Sequence, residues 1–263
     1  MRDKEETSGD VSPRAFAWGD AAVLAALALF TFRFVWFVKP FMAIVGVALL
    51  IACSRRIRSF DLPAAAMTGA LCLYAALPPR WSVWPTYLLV PIIVAIALAA
   101  FRGFQRDFFA GVQRGRLGRG ELGLIVLISA TAAAALLGWV LLLEPDLSRF
   151  RAMLPSWPLL ALVGAGAAFS VINAVLEEFV WRGVFQHWLR SIMSPPWAVT
   201  IQALSFGTVH YLGFPGGVAG AALATIYGAM LGALALRSGG LLAPLVAHIA
   251  ADAVIFTIVA GRL

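Results

Sequence analysis

The chain has 263 residues, of which 62% are hydrophobic and only 13% are charged. Soluble domains carry about 25% charged residues, so this composition excludes an ordinary soluble domain and predicts an integral membrane protein. The net charge of +7 does not indicate a nucleic-acid-binding protein, because the basic residues lie in short loops between apolar runs and no nucleic-acid-binding motif accompanies them.

The chain begins with a polar tail, residues 1–17, which does not resemble a cleavable signal peptide because no small-residue cleavage site follows the first apolar run. The apolar runs that come next predict an all-α, polytopic transmembrane bundle of about eight or nine spans. In chain order, the expected spans are residues 18–37, 41–53, 62–77, 83–101, 122–143, 157–189, 198–212, 218–236 and 241–259.

Arginines mark alternate loops between these spans. Those that follow the second, fourth, sixth and eighth spans include Arg55, Arg56, Arg58, Arg102, Arg106, Arg114, Arg116, Arg119, Arg190 and Arg237. Because cytoplasmic loops are enriched in basic residues, this pattern predicts a multi-pass protein of the cell membrane with a cytoplasmic N-terminus.

Three regions follow from this organisation: the tail (1–17), N-terminal transmembrane helices (18–121) and a C-terminal transmembrane core (122–263). The run from Trp157 to Arg190 would extend about 50 Å as one helix, which exceeds the thickness of a bilayer. We therefore expect this helix to tilt, kink or project, with Asn173 and Gly183 as the weak points.

Ionisable residues interrupt the apolar spans at three places in the C-terminal third. These are Glu177-Glu178-Phe-Val-Trp-Arg182, Phe206-Gly-Thr-Val-His210 and His248-Ile-Ala-Ala-Asp252. A charge near the bilayer centre costs roughly 2.5–3.5 kcal/mol on insertion scales, so such residues usually face a bundle interior and serve function.

Helical spacing suggests how these side chains are arranged. Glu178 and Arg182 are four residues apart and can pair, whereas Glu177 points about 100° away and lacks an obvious local partner. An unpaired carboxylate in an apolar cavity suits a general base. His248 and Asp252 also share a face.

Each motif has a structural alternative. Glu178–Arg182 could be a stabilising ion pair, His210 a hydrogen-bonded packing residue, and His248 with Asp252 a clamp between helices. Three such motifs on three spans of a bundle with few other charges favour a functional site.

In this order and membrane context, the three motifs resemble the CPBP family, which includes the type II CAAX prenyl endopeptidases and is also called the Abi family. Its pattern is EExxxR, then FxxxH, then HxxxN or HxxxD. The resemblance covers roughly residues 157–259, which would make the core (122–263) catalytic and the helices before it (18–121) accessory. It implies an intramembrane glutamate endopeptidase that cleaves near the C-terminus of a membrane-anchored protein or peptide. It implies that Glu177 activates water with help from His210, and that Glu178 and Arg182 hold the first motif together.

By the same resemblance, His248 and residue 252 stabilise the oxyanion. The best-known CAAX proteases have Asn at the last position, whereas this chain has Asp252. An ionised Asp cannot donate a hydrogen bond. Asp252 therefore either stays protonated or accepts from His248 and orients it.

Three other functions compete with this interpretation. A metal-dependent membrane hydrolase could use the Glu, His and Asp side chains as ligands, although there is no HExxH motif. A non-catalytic immunity or scaffold protein could have the same fold. A transporter could use a relay carboxylate, but the two related halves common in transporters are not evident. We expect neither a cofactor nor a metal ion.

Overall fold

In the computed structural model, residues 13–78, 81 and 83–261 are described, so residues 1–12 of the expected polar tail lie outside the described part. The described residues form helices and no strands. Twelve α-helices are numbered in chain order: α1 (Trp18–Thr31), α2 (Lys39–Ser54), α3 (Leu62–Ala75), α4 (Thr86–Arg102), α5 (Gln105–Phe108), α6 (Arg119–Leu143), α7 (Ser148–Arg151), α8 (Leu159–Glu178), α9 (His187–Ile192), α10 (Pro195–Val209), α11 (Gly217–Ser238) and α12 (Leu242–Val259).

The all-α architecture is confirmed, but the expected count of eight or nine spans is not. Among the described residues, five helical segments are long and apolar enough to cross a membrane: Trp36–Ser54, Arg119–Leu143, Leu159–Ile192, Gly217–Ser238 and Leu242–Val259. Helices α1, α3 and α10 have 14, 14 and 15 residues. At 1.5 Å per residue they reach only about 21–23 Å, which is less than the roughly 30 Å hydrocarbon core.

The first expected span is interrupted. α1 ends at Thr31, and a short 3₁₀ helix, Trp36–Val38, leads into α2. Arg33 lies in the turn between them, where its guanidinium donates to the carbonyl of Val209, 2.9 Å away. The helix therefore ends before residue 37, and Arg33 can reach a polar partner outside it.

The long C-terminal run is continuous but irregular. α8, a π-helical segment (Phe179–Gln186) and α9 together form one helical rod, Leu159–Ile192, of 34 residues. The π segment contains Gly183 and starts directly after the two glutamates, whereas Asn173 lies in regular helix. π segments are rare and occur frequently at functional sites, where they change the direction of the side chains that follow.

The rod is packed between the two halves of the chain. One hydrophobic cluster joins residues of α1 to α4 with Val180, Trp181, Phe185 and Trp188. On the other side, α12 contacts both α8 and α6, and α10 packs closely along α11. The segment that carries the first motif is thus held from both sides.

Candidate active site

Glu178 is the most heavily bonded carboxylate in the buried cluster. Its Oε1 accepts from Nη1 of Arg182, 2.9 Å away, and from Nδ1 of His248, 2.7 Å away. The pairing expected from the four-residue spacing is therefore present, and Glu178 also joins the first motif to the third. An ionised carboxylate only accepts hydrogen bonds, so Nδ1 of His248 carries a hydrogen.

Arg182 is held by more than its ion pair. Nη2 donates to the carbonyl of Gly228 on α11, 3.1 Å away. The guanidinium lies 4.7 Å from the centre of the Phe206 ring. Both contacts stabilise a buried cation, which is 3% exposed, so Arg182 also connects the π segment to α10 and α11.

Glu177 has a partner that the sequence analysis did not find. The hydroxyl of Tyr87 on α4 donates to Glu177 Oε1, 3.0 Å away. The second oxygen, Oε2, is buried without a hydrogen-bond partner and lies 3.5 Å from Nε2 of His248. The sequence analysis gave Glu177 no obvious local partner, and Tyr87 is a partner from a different helix, on which spacing along one helix gives no information.

Asp252 forms its hydrogen bond with Asn173 and not with His248. Its Oδ2 accepts from Nδ2 of Asn173, 3.2 Å away, whereas its Oδ1 lies 3.9 Å from Nε2 of His248. The latter distance exceeds that of a hydrogen bond. The alternative in which Asp252 orients His248 by accepting from it is therefore not realised, and Glu178 takes that position at Nδ1.

His210 is connected to the cluster through Phe206. Its Nδ1 lies 2.8 Å from the carbonyl oxygen of Phe206. A carbonyl only accepts, so Nδ1 donates and Nε2 remains an acceptor when the ring is neutral. The Phe206 ring lies 4.5 Å from the His210 ring and 6.0 Å from the His248 ring, measured between centroids.

Glu177 and His210 occupy similar depths. Glu177 lies fifteen residues before α9 ends at Ile192, and His210 lies fifteen residues after α10 begins at Pro195. A short turn joins these two helix ends. Measured from this turn, each residue lies about 22 Å along its own helix. Side chains on these two neighbouring helices can therefore approach one site.

Two further residues outside the three motifs complete the cluster. Nε1 of Trp84, two residues before α4 begins at Thr86, donates to Oδ1 of Asn173, 3.1 Å away. Asn173 in turn donates to Asp252. The sequence analysis considered Asn173 only as a possible weak point of its helix, and no spacing or motif connected either residue with the three motifs.

Of two cavities in the described part of the chain, one touches this cluster at Arg182 and the other does not contact the six motif residues. One of about 200 Å³ reaches Arg182 and Gln186 from the region where α11 ends. A larger one of about 750 Å³ is lined by residues that include Arg56, Asp61 and His187 and by none of the six motif residues. We place the chemistry at the buried ionisable cluster, because size alone does not supply reacting groups.

The family model described as type II CAAX prenyl endopeptidase, Rce1-like, matches residues 155–254. This match confirms the resemblance predicted from the motifs, and it contains all six motif residues. No curated protein and no solved structure matches the chain. Over these residues the chain is similar to a family of membrane proteases, and its apolar helices agree with a location in a bilayer.

Proposed function

We propose that the protein is an intramembrane endopeptidase that hydrolyses a peptide bond near the C-terminus of a membrane-anchored protein. The observation that supports this most directly is the environment of Glu177. Its carboxylate is 4% exposed, and Oε2 is unpartnered at 3.5 Å from His248. Oε2 of Glu178 is also buried without a partner, but Glu178 is ion-paired with Arg182, whereas Glu177 has no such pair. Glu177 is therefore the carboxylate better suited to bind and deprotonate the reacting water.

In the proposed reaction, Glu177 takes a proton from this water while the water oxygen attacks the scissile carbonyl carbon. The carbonyl oxygen becomes an oxyanion. His248 stabilises it through Nε2 when the ring is the imidazolium ion, since Nδ1 already carries the hydrogen that it donates to Glu178. Glu177 then gives the proton to the amide nitrogen, the C–N bond breaks, and a new carboxyl terminus and a free amine leave. His210, with Nε2 available as an acceptor, assists in orienting the water.

The arrangement of the described side chains favours this mechanism over a metal-dependent hydrolase. Glu178 Oε1 is used by Arg182 and His248, while Oε2 has no partner. Among the described residues, no three His, Cys, Asp or Glu side chains are grouped closely enough to hold a metal ion. We expect activity to survive prolonged treatment with chelators. Loss of cleavage that zinc restores would instead support the metal-dependent alternative.

The proposal is tested by replacing the base. Glu177→Gln keeps the size of the side chain and can still accept from Tyr87, but it cannot take a proton from water. We expect it to abolish cleavage while the protein still inserts and folds. The C-termini of membrane proteins should be compared in cells that produce the wild type or Glu177→Gln, with folding checked by thermal unfolding in detergent.

An identical set of C-termini in the two strains would contradict the proposal and would favour a non-catalytic immunity or scaffold role. Glu144→Gln provides the matched control. The substitution makes the same chemical change, and Glu144 is exposed in the loop after α6, far from the cluster.

A further inference from the structure

Tyr87 reaches the candidate site from outside the part of the chain that matches the protease family. It lies on α4, whereas the family match begins at residue 155. Its hydroxyl is 3.0 Å from Glu177 Oε1.

Asp252 stands where the best-known CAAX proteases have an uncharged Asn, and its Oδ2 accepts from Asn173. The amide of Asn173 is therefore already used. An ionised carboxylate beside a developing oxyanion would raise the barrier rather than lower it. When Asp252 is ionised, the hydrogen bond that Asn would donate has to come from another uncharged group.

On the basis of the proposed function, we propose that Tyr87 is a catalytic residue whose hydroxyl donates to the oxyanion in place of the missing Asn. Before the reaction, the hydroxyl donates to Glu177 Oε1. As Glu177 gains a proton, it becomes a weaker acceptor, while the carbonyl oxygen of the substrate becomes an anion and a stronger one. Rotation of the hydroxyl about its C–O bond then transfers the hydrogen bond without breaking a covalent bond.

Asn173 and Trp84 support this arrangement by keeping Asp252 engaged. Asn173 donates to Asp252 Oδ2, and Trp84 donates to Asn173. The Asp252 carboxylate thus accepts a hydrogen bond from Asn173. These two act as positioning residues, whereas the Tyr87 hydroxyl contacts the base directly.

The test uses purified full-length protein and an internally quenched peptide that spans the bond identified by comparing the C-termini of wild-type and Glu177→Gln cells. Removing one oxyanion donor typically lowers kcat by about 100- to 1000-fold. We expect Tyr87→Phe to lower kcat by about 100-fold with little change in KM. Tyr227→Phe is the matched control, because its hydroxyl donates to the backbone carbonyl of Ala247, 3.0 Å away; it should keep kcat near wild type.

A second variant tests whether the Tyr87 hydroxyl donates to the oxyanion or only positions Glu177. Asp252→Asn introduces an uncharged donor, so the factor by which it changes kcat should be about 10-fold or more higher in the Tyr87→Phe background than in the wild type. Such an interaction is expected when two groups serve the same step and not when they act independently. Thermal unfolding should show Tyr87→Phe folded.

The possible results distinguish failure of the donor role of Tyr87 from failure of the proposed function. Wild-type kcat in Tyr87→Phe would overturn the donor role and leave the proposed function intact. A slow Tyr87→Phe that Asp252→Asn does not improve would also overturn it, because the hydroxyl would then only position Glu177. Identical C-termini in wild-type and Glu177→Gln cells would overturn the donor role and the proposed function together.

Discussion

At the scale of single residues, Glu178 joins the buried charged side chains to one another. It is 1% exposed and accepts from both Arg182 and His248. A buried ion pair contributes little net stability when compared with apolar residues of similar size. Removing one partner, however, leaves an uncompensated charge, at a cost of about 3–5 kcal/mol.

We therefore expect Glu178→Gln to destabilise the protein much more than Glu177→Gln. The amide cannot neutralise Arg182, and its NH₂ group would face the Nδ1 donor of His248 in one of its two orientations. Thermal unfolding in detergent should show a clear decrease in Tm for Glu178→Gln and a small one for Glu177→Gln. Equal decreases would show that Glu178 does not hold the cluster together.

At the scale of helices, the position of His210 depends on how closely α10 approaches α11. Gly207 lies on the contact face, where an added Cβ would be 1.9 Å from Thr225 Oγ1 and 2.5 Å from the carbonyl oxygen of Ala221. The latter atom belongs to the backbone of α11 and cannot move away alone. Small residues permit such close approach between membrane helices.

Gly207→Ala should push α10 away from α11 and displace Phe206 and His210. Overpacking of this kind typically costs about 1–3 kcal/mol, so we expect a lower Tm together with reduced cleavage. Gly138→Ala in α6 is the control, because no atom lies within 4 Å of a Cβ added there; it should be neutral or slightly stabilising. A neutral Gly207→Ala would show that the interface can relax.

The π segment has a role at the same scale. It places Arg182 toward Glu178 on one side and Val180, Trp181 and Phe185 into the cluster shared with the N-terminal helices on the other. The sequence predicted a kink or tilt in this run from its length. The structure adds a π-helical widening over Phe179–Gln186, which the length of the run does not predict.

At the scale of the whole molecule, the N-terminal helices contribute to the site as well as to packing. Arg33 bonds to the carbonyl next to His210, and Tyr87 bonds to Glu177. Trp188 at the other end of the rod donates to Asp20 on α1, 3.0 Å away. The proposed division into accessory helices (18–121) and a catalytic core (122–263) therefore describes the position of the motifs along the chain, while the contacts cross it.

The orientation in the membrane stays a prediction, and cysteine labelling can test it. Both native cysteines, Cys53 and Cys72, are buried, so background labelling should be low. Arg58 is exposed in the loop after α2, and Arg149 is exposed on the short helix α7 between α6 and α8. The arginine distribution places these two connections on opposite sides. In intact cells, a membrane-impermeant maleimide should label Arg149→Cys at once and Arg58→Cys only after permeabilisation. The reverse pattern would contradict the cytoplasmic N-terminus.

The sequence by itself determined the membrane character, the helical class, the three motifs and the pairing of Glu178 with Arg182. These depend on composition and on the helical period, which are properties of one segment at a time. Only the tertiary structure decided that His248 bonds to Glu178, that Asp252 bonds to Asn173, and that Tyr87 reaches Glu177. Each of these contacts joins different helices, so it depends on how the helices rotate and slide against one another. That arrangement follows from the packing of many small and apolar residues together, and no single spacing along the chain encodes it.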